Sequence, residues 1–210
     1  VLFNRCSHRA ATICQDRCGV AGHLRCAYHG WTFRLDGSLI GATFSDGYAA
    51  EDFDGADHPL GRPARVDSHR GFVFASLARR GPSLRKHLGN AAHYLDLFCD
   101  LAPSGRILVG TPGTNHYGYE GNWKLQCENG VDGYHPNFVH QAYLEGASPS
   151  GRAMQLFNGA SPATAADLGN GHALLDNRPN LADRHERWFE ATDEGRRHLS
   201  LLVERLGPER

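Results

Sequence analysis

Four residues constrain this chain more tightly than any run of its hydrophobic pattern. Cys6 and His8 stand in one short segment and Cys26 and His29 in another, as C-x-H and C-x-x-H, with 17 residues between His8 and Cys26. Each segment offers one thiolate and one imidazole, side chains that bind soft and borderline metals. Two loop tips of this kind can grip a metal centre between them. Gly30 follows the second pair and lets the backbone come close, and Trp31 after it can shield the centre from water.

Two chemistries fit such a donor set. A zinc site satisfies both softness and ligand count, but zinc fingers more usually pair Cys with Cys and His with His. Mixed pairs at both loops favour an iron–sulfur cluster. Thiolates then hold one iron, and neutral imidazoles on the other raise the reduction potential above that of an all-cysteine cluster. The chain has 13 His, so chance placement competes, yet two correctly spaced pairs argue against it. A disulfide framework is the other use of the six Cys (6, 14, 18, 26, 99 and 127). Four of them crowd the first 26 residues and two pair with His, which favours metal over bridges. Cys14 and Cys18 have no His beside them and read as structural thiols.

Charge excludes several classes. Lys and Arg number 22 against 23 Asp and Glu, a net charge of −1, with no basic stripe for nucleic acid and no charge block for a disordered tail. No apolar run reaches a membrane span and no signal peptide opens the sequence, so a soluble, cytoplasmic protein is expected. Val1-Leu2-Phe3 reads as a strand already under way, without a start Met, which suggests a fragment.

Punctuation by Gly and Asp-Gly makes residues 1 to about 80 β-rich, with a hairpin predicted at Asp36-Gly37. Gly81-Pro82 breaks that pattern, Ser83 can cap a short helix, and Ala91 to Phe98 continues helically. The domain boundary is placed there, giving domains 1–82 and 83–210. Beyond it the pattern predicts a strand or hairpin over Arg106–Tyr119, broken at Pro112-Gly113. Helical intervals follow over Asn122–His140, then a loop over Gly146–Gly171 and an amphipathic helix over Asp183–Leu206.

The second informative stretch runs from Glu128 to His140. His135 and His140 are five apart and do not share a face of a regular helix, so they converge only if the turn is widened or broken. Pro136 supplies a reason for a break. Asp132 and Tyr134 lie beside them. Two His and one carboxylate can hold one face of Fe(II) and leave positions open, and a carboxylate bonded to an imidazole N–H fixes its tautomer.

Asn4-Arg5-Cys6-Ser7-His8-Arg9 and Cys26-Ala27-Tyr28-His29-Gly30-Trp31 together resemble the Rieske domain of aromatic-ring-hydroxylating oxygenase large (alpha) subunits. Respiratory Rieske proteins carry an extra Cys in each loop, where this chain has Ala11 and Tyr28. Ala10 and Ala27 replace a Gly and a Pro common in the family. Residues 128–140 resemble the mononuclear iron motif of the same oxygenases, nearest the benzoate, toluate and anthranilate dioxygenase group. The resemblance continues through 70–74, 119–125 and 169–172.

That resemblance implies an α+β chain, an all-β Rieske [2Fe–2S] domain followed by part of a helix-grip-like catalytic domain. It implies cluster ligands Cys6, His8, Cys26 and His29 with Trp31 packed nearby, and Fe2+ ligands His135 and His140. Asp132 becomes the inter-site electron-transfer residue, coupling a neighbouring subunit's cluster to this iron, with Asn129 and Tyr134 supporting. The third, carboxylate ligand is expected outside this chain, because Glu145, Asp167, Asp176 and Asp183 lack its context. NADH would deliver electrons through a reductase, with or without a ferredoxin, and O2 would be added to an aromatic small molecule. The assembly implied is a homotrimer of large subunits, with or without a beta subunit. A monooxygenase or demethylase is the near alternative, and a Rieske electron carrier the distant one.

Overall fold

The computed structural model describes residues 1–48, 53–108, 117–143, 163–177 and 192–208. The chain divides into two units, Val1–Pro82 and Ser83–Arg210.

The first unit is built from short strands because its turns come every few residues. β1 (Leu24–Arg25), β2 (Thr32–Phe33) and β3 (Leu39–Gly41) form an antiparallel sheet in that order. The β2–β3 hairpin turns at Asp36-Gly37, where Asp36 Oδ1 accepts from the Ser38 backbone N–H at 2.8 Å and its hydroxyl at 2.7 Å. Gly37 has φ +91°, and a Cβ there would meet the Leu2 side chain at 2.7 Å, so only glycine fits. The β1–β2 register pairs Leu24 with Phe33 and Arg25 with Thr32. The segment 26–31 between these strands is therefore the loop that carries the second Cys/His pair.

A core forms under this sheet from Ile13, Trp31, Phe33, Leu60 and the two ligand-pattern cysteines. Phe33 is fully buried, which stabilises the unit by about 2–3 kcal/mol. β4 (Arg65–His69) and β5 (Phe72–Ser76) make a second hairpin. Its turn residues, Arg70 and Gly71, both have positive φ (+52° and +88°), as a type I′ turn requires. Arg65 donates to the carbonyls of Ala78 (2.9 Å) and Pro82 (2.7 Å) and so closes the end of the unit.

In the second unit, Ser83 caps α1 (Leu84–Leu88) by accepting from Lys86 N, and α2 (Ala91–Asp100) follows. α3 (Trp123–Val131) and α4 (Pro136–Val139) precede an antiparallel hairpin of β6 (Thr164–Gly169) and β7 (His172–Asp176). α5 (Asp193–Leu206) is capped by the Thr192 hydroxyl on Gly195 N at 3.0 Å. The free carbonyls at helix ends find partners. Asn170 donates to Lys86 O and His87 O at the end of α1, and Arg205 and His198 donate to Asp100 O and Leu101 O at the end of α2. Among the described residues no helix is long and apolar enough to cross a membrane.

Three expectations need correction, and a fourth falls largely outside the described residues. Val1–Phe3 is not a strand; Phe3 N bonds to Gly61 O at 2.7 Å and its ring packs over Gly61, which anchors the segment without a sheet. Residues 164–169, expected as loop, form β6. Ala165 and Ala166 have little strand propensity of their own, but the tight turn at Gly169-Asn170-Gly171, all at positive φ, folds them onto β7. The C-terminal helix begins at Asp193 where Thr192 caps it; the expected part over 183–191 lies outside the described residues, with Trp188 and Phe189. Residues 106–108 and 117–119 are in no strand, and the rest of that expected hairpin, 109–116, lies outside the described residues.

Candidate metal centres

The two Cys/His loops turn out to be one turn used twice. In the first, Cys6 N donates to Ala11 O (2.8 Å) and Ala10 N donates to Cys6 O (2.8 Å). In the second, Cys26 N donates to Trp31 O (2.8 Å) and Gly30 N donates to Cys26 O (3.0 Å). The offsets are identical, and the residue four past each Cys has positive φ, +55° at Ala10 and +74° at Gly30. Each loop thus buries its Cys at the base, 4% exposed for Cys6 and 2% for Cys26, and leaves its His half-exposed above.

The loops face one another. The Cys6 and Cys26 thiols lie close enough to shift one another's ionisation, and the His8 and His29 rings meet edge to face at 4.6 Å. Burial pushes the Cys6 pKa up. Burial also opposes the Cys26 thiolate, but the backbone N–H groups of Tyr28 and His29 and the Cys6 thiol outweigh it and hold Cys26 below the ordinary thiol range. Burial, then His29 and Arg9, lower the His8 pKa and keep its imidazole neutral, the form that ligates a metal. His8 Nδ1 is buried without a protein partner, a costly state for a polar atom. Two facing thiols, two facing imidazoles and an orphaned ring nitrogen fit a cluster with mixed ligands.

Packing around the imidazoles is aromatic. Trp31 stacks on His8 at 4.7 Å and 8°, and its edges meet Phe53 and His58. Tyr28 lies over His29 at 3.8 Å and is 63% exposed. A shallow cavity of about 570 Å³ opens beside both rings, walled by Arg25, Thr43, Phe44 and Tyr48 among others. Cys14 and Cys18, expected to be structural, are both exposed and free, so they hold nothing in the core.

Polar clamps that the ligand pattern does not include hold both loops. Asn4 Oδ1 accepts from Ile13 N (3.1 Å) and Cys14 N (2.8 Å) while its Nδ2 donates to Cys14 O (2.7 Å). Arg5 donates to Ala10 O and the Thr12 hydroxyl. Thr32 bonds to Gly30 O and Thr43 to His29 O. An asparagine two residues before the first ligand was the signal for the first clamp. Nothing local marked Thr43.

The second candidate centre is made by a helix break. α3 ends at Val131, Asp132 takes an extended conformation, and Pro136 opens α4 at its first turn. On an unbroken helix five residues would separate the two His by about 140°. Here their rings come within 5.2 Å of each other. Asp132 uses both oxygens: Oδ1 accepts from Tyr134 N at 2.7 Å, and Oδ2 accepts from His135 Nδ1 at 2.9 Å. The Tyr134 N–H is the main cause, with His135 adding to it against a desolvation cost, of an Asp132 pKa below the usual carboxylate range. Bonding Nδ1 to Asp132 leaves His135 Nε2 as the free donor. Tyr134 contributes that backbone N–H, while its ring lies 5.8 Å from Phe138. Asn129 sits exposed on α3.

Among the described residues no three His, Cys, Asp or Glu side chains form a group that could hold a single metal ion. Of the carboxylates considered for a third ligand, Asp167 accepts from Gly169 N within the β6–β7 turn, and Asp176 is the last residue of β7. Glu145 and Asp183 lie outside the described residues. The helix break thus brings two imidazoles together, His135 and His140, one with its tautomer fixed.

Residues 1–49 match the family model of the Rieske [2Fe-2S] domain. Toluate 1,2-dioxygenase subunit alpha of Pseudomonas putida is 37% identical over 205 residues, covering 87% of this chain and 44% of that one. The anthranilate 1,2-dioxygenase large subunit of Acinetobacter baylyi is 40% identical over 144 residues, covering 68% of this chain and 30% of that one. A crystal structure of naphthalene 1,2-dioxygenase from a Rhodococcus species, bound to indole, superposes with a TM-score of 0.74 at 28% identity, over 99% of this chain and 46% of that one. The chain spans less than half the length of the curated relatives it matches.

Proposed function

We propose, from the premise that this chain carries a Rieske domain and is homologous to aromatic-ring dioxygenase large subunits, that it serves as the oxygenase component of a ring-hydroxylating system. One observation carries the reading: the two ligand loops repeat one turn and bring two buried thiols and two imidazoles face to face. We assign Cys6, His8, Cys26 and His29 to a [2Fe–2S] cluster in residues 1–82, and His135 and His140 to an Fe2+ in 83–210. When bound, these groups would supply one-electron transfer and O2 activation respectively.

The chain's own residues prepare both places. Trp31 stacks on His8 and is itself backed by the Phe53 ring, which fixes the plane of that imidazole. Asp132 holds the proton of His135 Nδ1, which keeps Nε2 unprotonated for a metal. The same carboxylate, 45% exposed, is accessible to a neighbouring subunit and is our assignment for electron transfer between sites. Asn129 and Tyr134 support it. The net reaction we assign takes two electrons and a proton from NADH and one further proton, and adds both atoms of O2 to adjacent ring carbons as a cis-dihydrodiol. Electrons arrive through a cytoplasmic reductase, directly or by a ferredoxin, and the large subunits form a trimer that can include a beta subunit. Toluate and anthranilate, named for two relatives, are aromatic carboxylates, and we assign the same substrate class here.

Metal analysis and electron paramagnetic resonance of the protein purified without oxygen test this reading. In the full-length protein the expected result is iron at about three per chain and, on reduction, the signal of a cluster with mixed His and Cys ligands. Two irons per chain would indicate an electron carrier. Zinc in place of iron, with no such signal, would refute the cluster.

A further inference from the structure

The second ligand loop is pinned by a residue far from it in sequence. Thr43 lies two residues beyond β3 and 14 past His29, and its hydroxyl donates to the His29 carbonyl at 2.7 Å. The contact is close on its other side too. A Cβ built on Gly30 would stand 2.7 Å from Thr43 Oγ1, so the hydroxyl occupies the space a side chain at position 30 would need. The next residue, Phe44, sits at φ +58° although it is bulky and 82% exposed. Such a conformation persists only where the surrounding chain holds it. Here the 310 turn Ser45–Gly47 does so, with Gly47 N bonded to Phe44 O at 2.9 Å.

We infer that Thr43 is the positioning residue for His29. The imidazole has a tilted Tyr28 ring on one side and the edge of His8 on another, contacts that slide easily. A hydrogen bond to the His29 carbonyl is directional, and it fixes the His29–Gly30 peptide from which the ligand projects. Within its own loop, Thr32 bonds only one residue further on, at Gly30 O. Thr43 thus couples the β2–β3 hairpin to the orientation of one ligand. The inference rests on the assignment of His29 as a cluster ligand.

Thr43→Val and Thr43→Ser in the purified, cluster-bearing protein test it, with two readouts independent of turnover: the g-values of the reduced cluster and its rate of loss to an iron chelator. In Thr43→Val the g-values should shift, and cluster loss should be about fivefold faster, the factor that one net hydrogen bond supplies. Thr43→Ser should restore both. Wild-type behaviour in Thr43→Val overturns the inference, and so does a serine variant as impaired as the valine one. A second pair of variants covers a failure of Thr43→Val to fold. Gly30→Ala should speed cluster loss less in a Thr43→Ala background than in the wild type, and equal effects in the two backgrounds overturn the inference. If the wild type forms no mixed-ligand cluster, both the ligand assignment and this inference fall. If it forms one and the Thr43 variants leave it unchanged, only this inference falls.

Discussion

Glycine at position 10 should make the first ligand loop more stable, although it removes a methyl group and loosens the unfolded chain. Ala10 sits at φ +55°, four residues past Cys6, where the matching position of the other loop is Gly30 at +74°. The left-handed conformation costs a residue with a Cβ about 1–2 kcal/mol. Glycine gives back about 0.4–1 kcal/mol through the greater entropy of the unfolded chain. Ala10→Gly should therefore stabilise the first unit by about 0.5–1 kcal/mol, a rise of about 4 °C in its melting midpoint. Gly30→Ala runs the same argument backwards and adds the collision with Thr43 Oγ1, so it should cost about 1–2 kcal/mol or more. Urea and thermal unfolding of the metal-free protein measure both, which keeps metal affinity out of the comparison. Should Ala10→Gly lower the midpoint, or Gly30→Ala raise it, the idea that the two loops are one turn used twice is wrong.

Two substitutions probe the other contacts. Asp132→Asn should leave the cluster able to assemble and be reduced while product formation falls by about 10–100-fold; unchanged turnover would remove Asp132 from the mechanism. Asn4→Ala deletes three hydrogen bonds across the first loop and should cost about 1–3 kcal/mol in urea unfolding, less than their sum because water replaces them at an exposed site.

The ligand pattern was legible because each Cys/His pair is local, and local spacing survives whatever the rest of the chain does. Asp36-Gly37 and Ser83 were readable for the same reason: a turn or cap states its own geometry. The convergence of His135 and His140 could be inferred only because Pro136 marked the break. Thr43 was invisible, since its partner is 14 residues away and a threonine after a strand is ordinary. β6 was missed because its alanines carry no strand signal and its pairing comes from the turn that follows. Val1–Phe3 misled in the opposite sense, as an apolar run that packs by its side chains rather than by a ladder.

The four donors of the first centre lie at two depths, thiols in the core and imidazoles near the surface. That gradient sets an order of vulnerability. A proton or a chelator arriving from solvent meets His8 and His29 first, while Cys6 and Cys26 stay sheltered behind Phe33 and Ile13. Damage to such a centre should proceed stepwise, from the imidazole side inward, and its early products should keep their sulfur ligands.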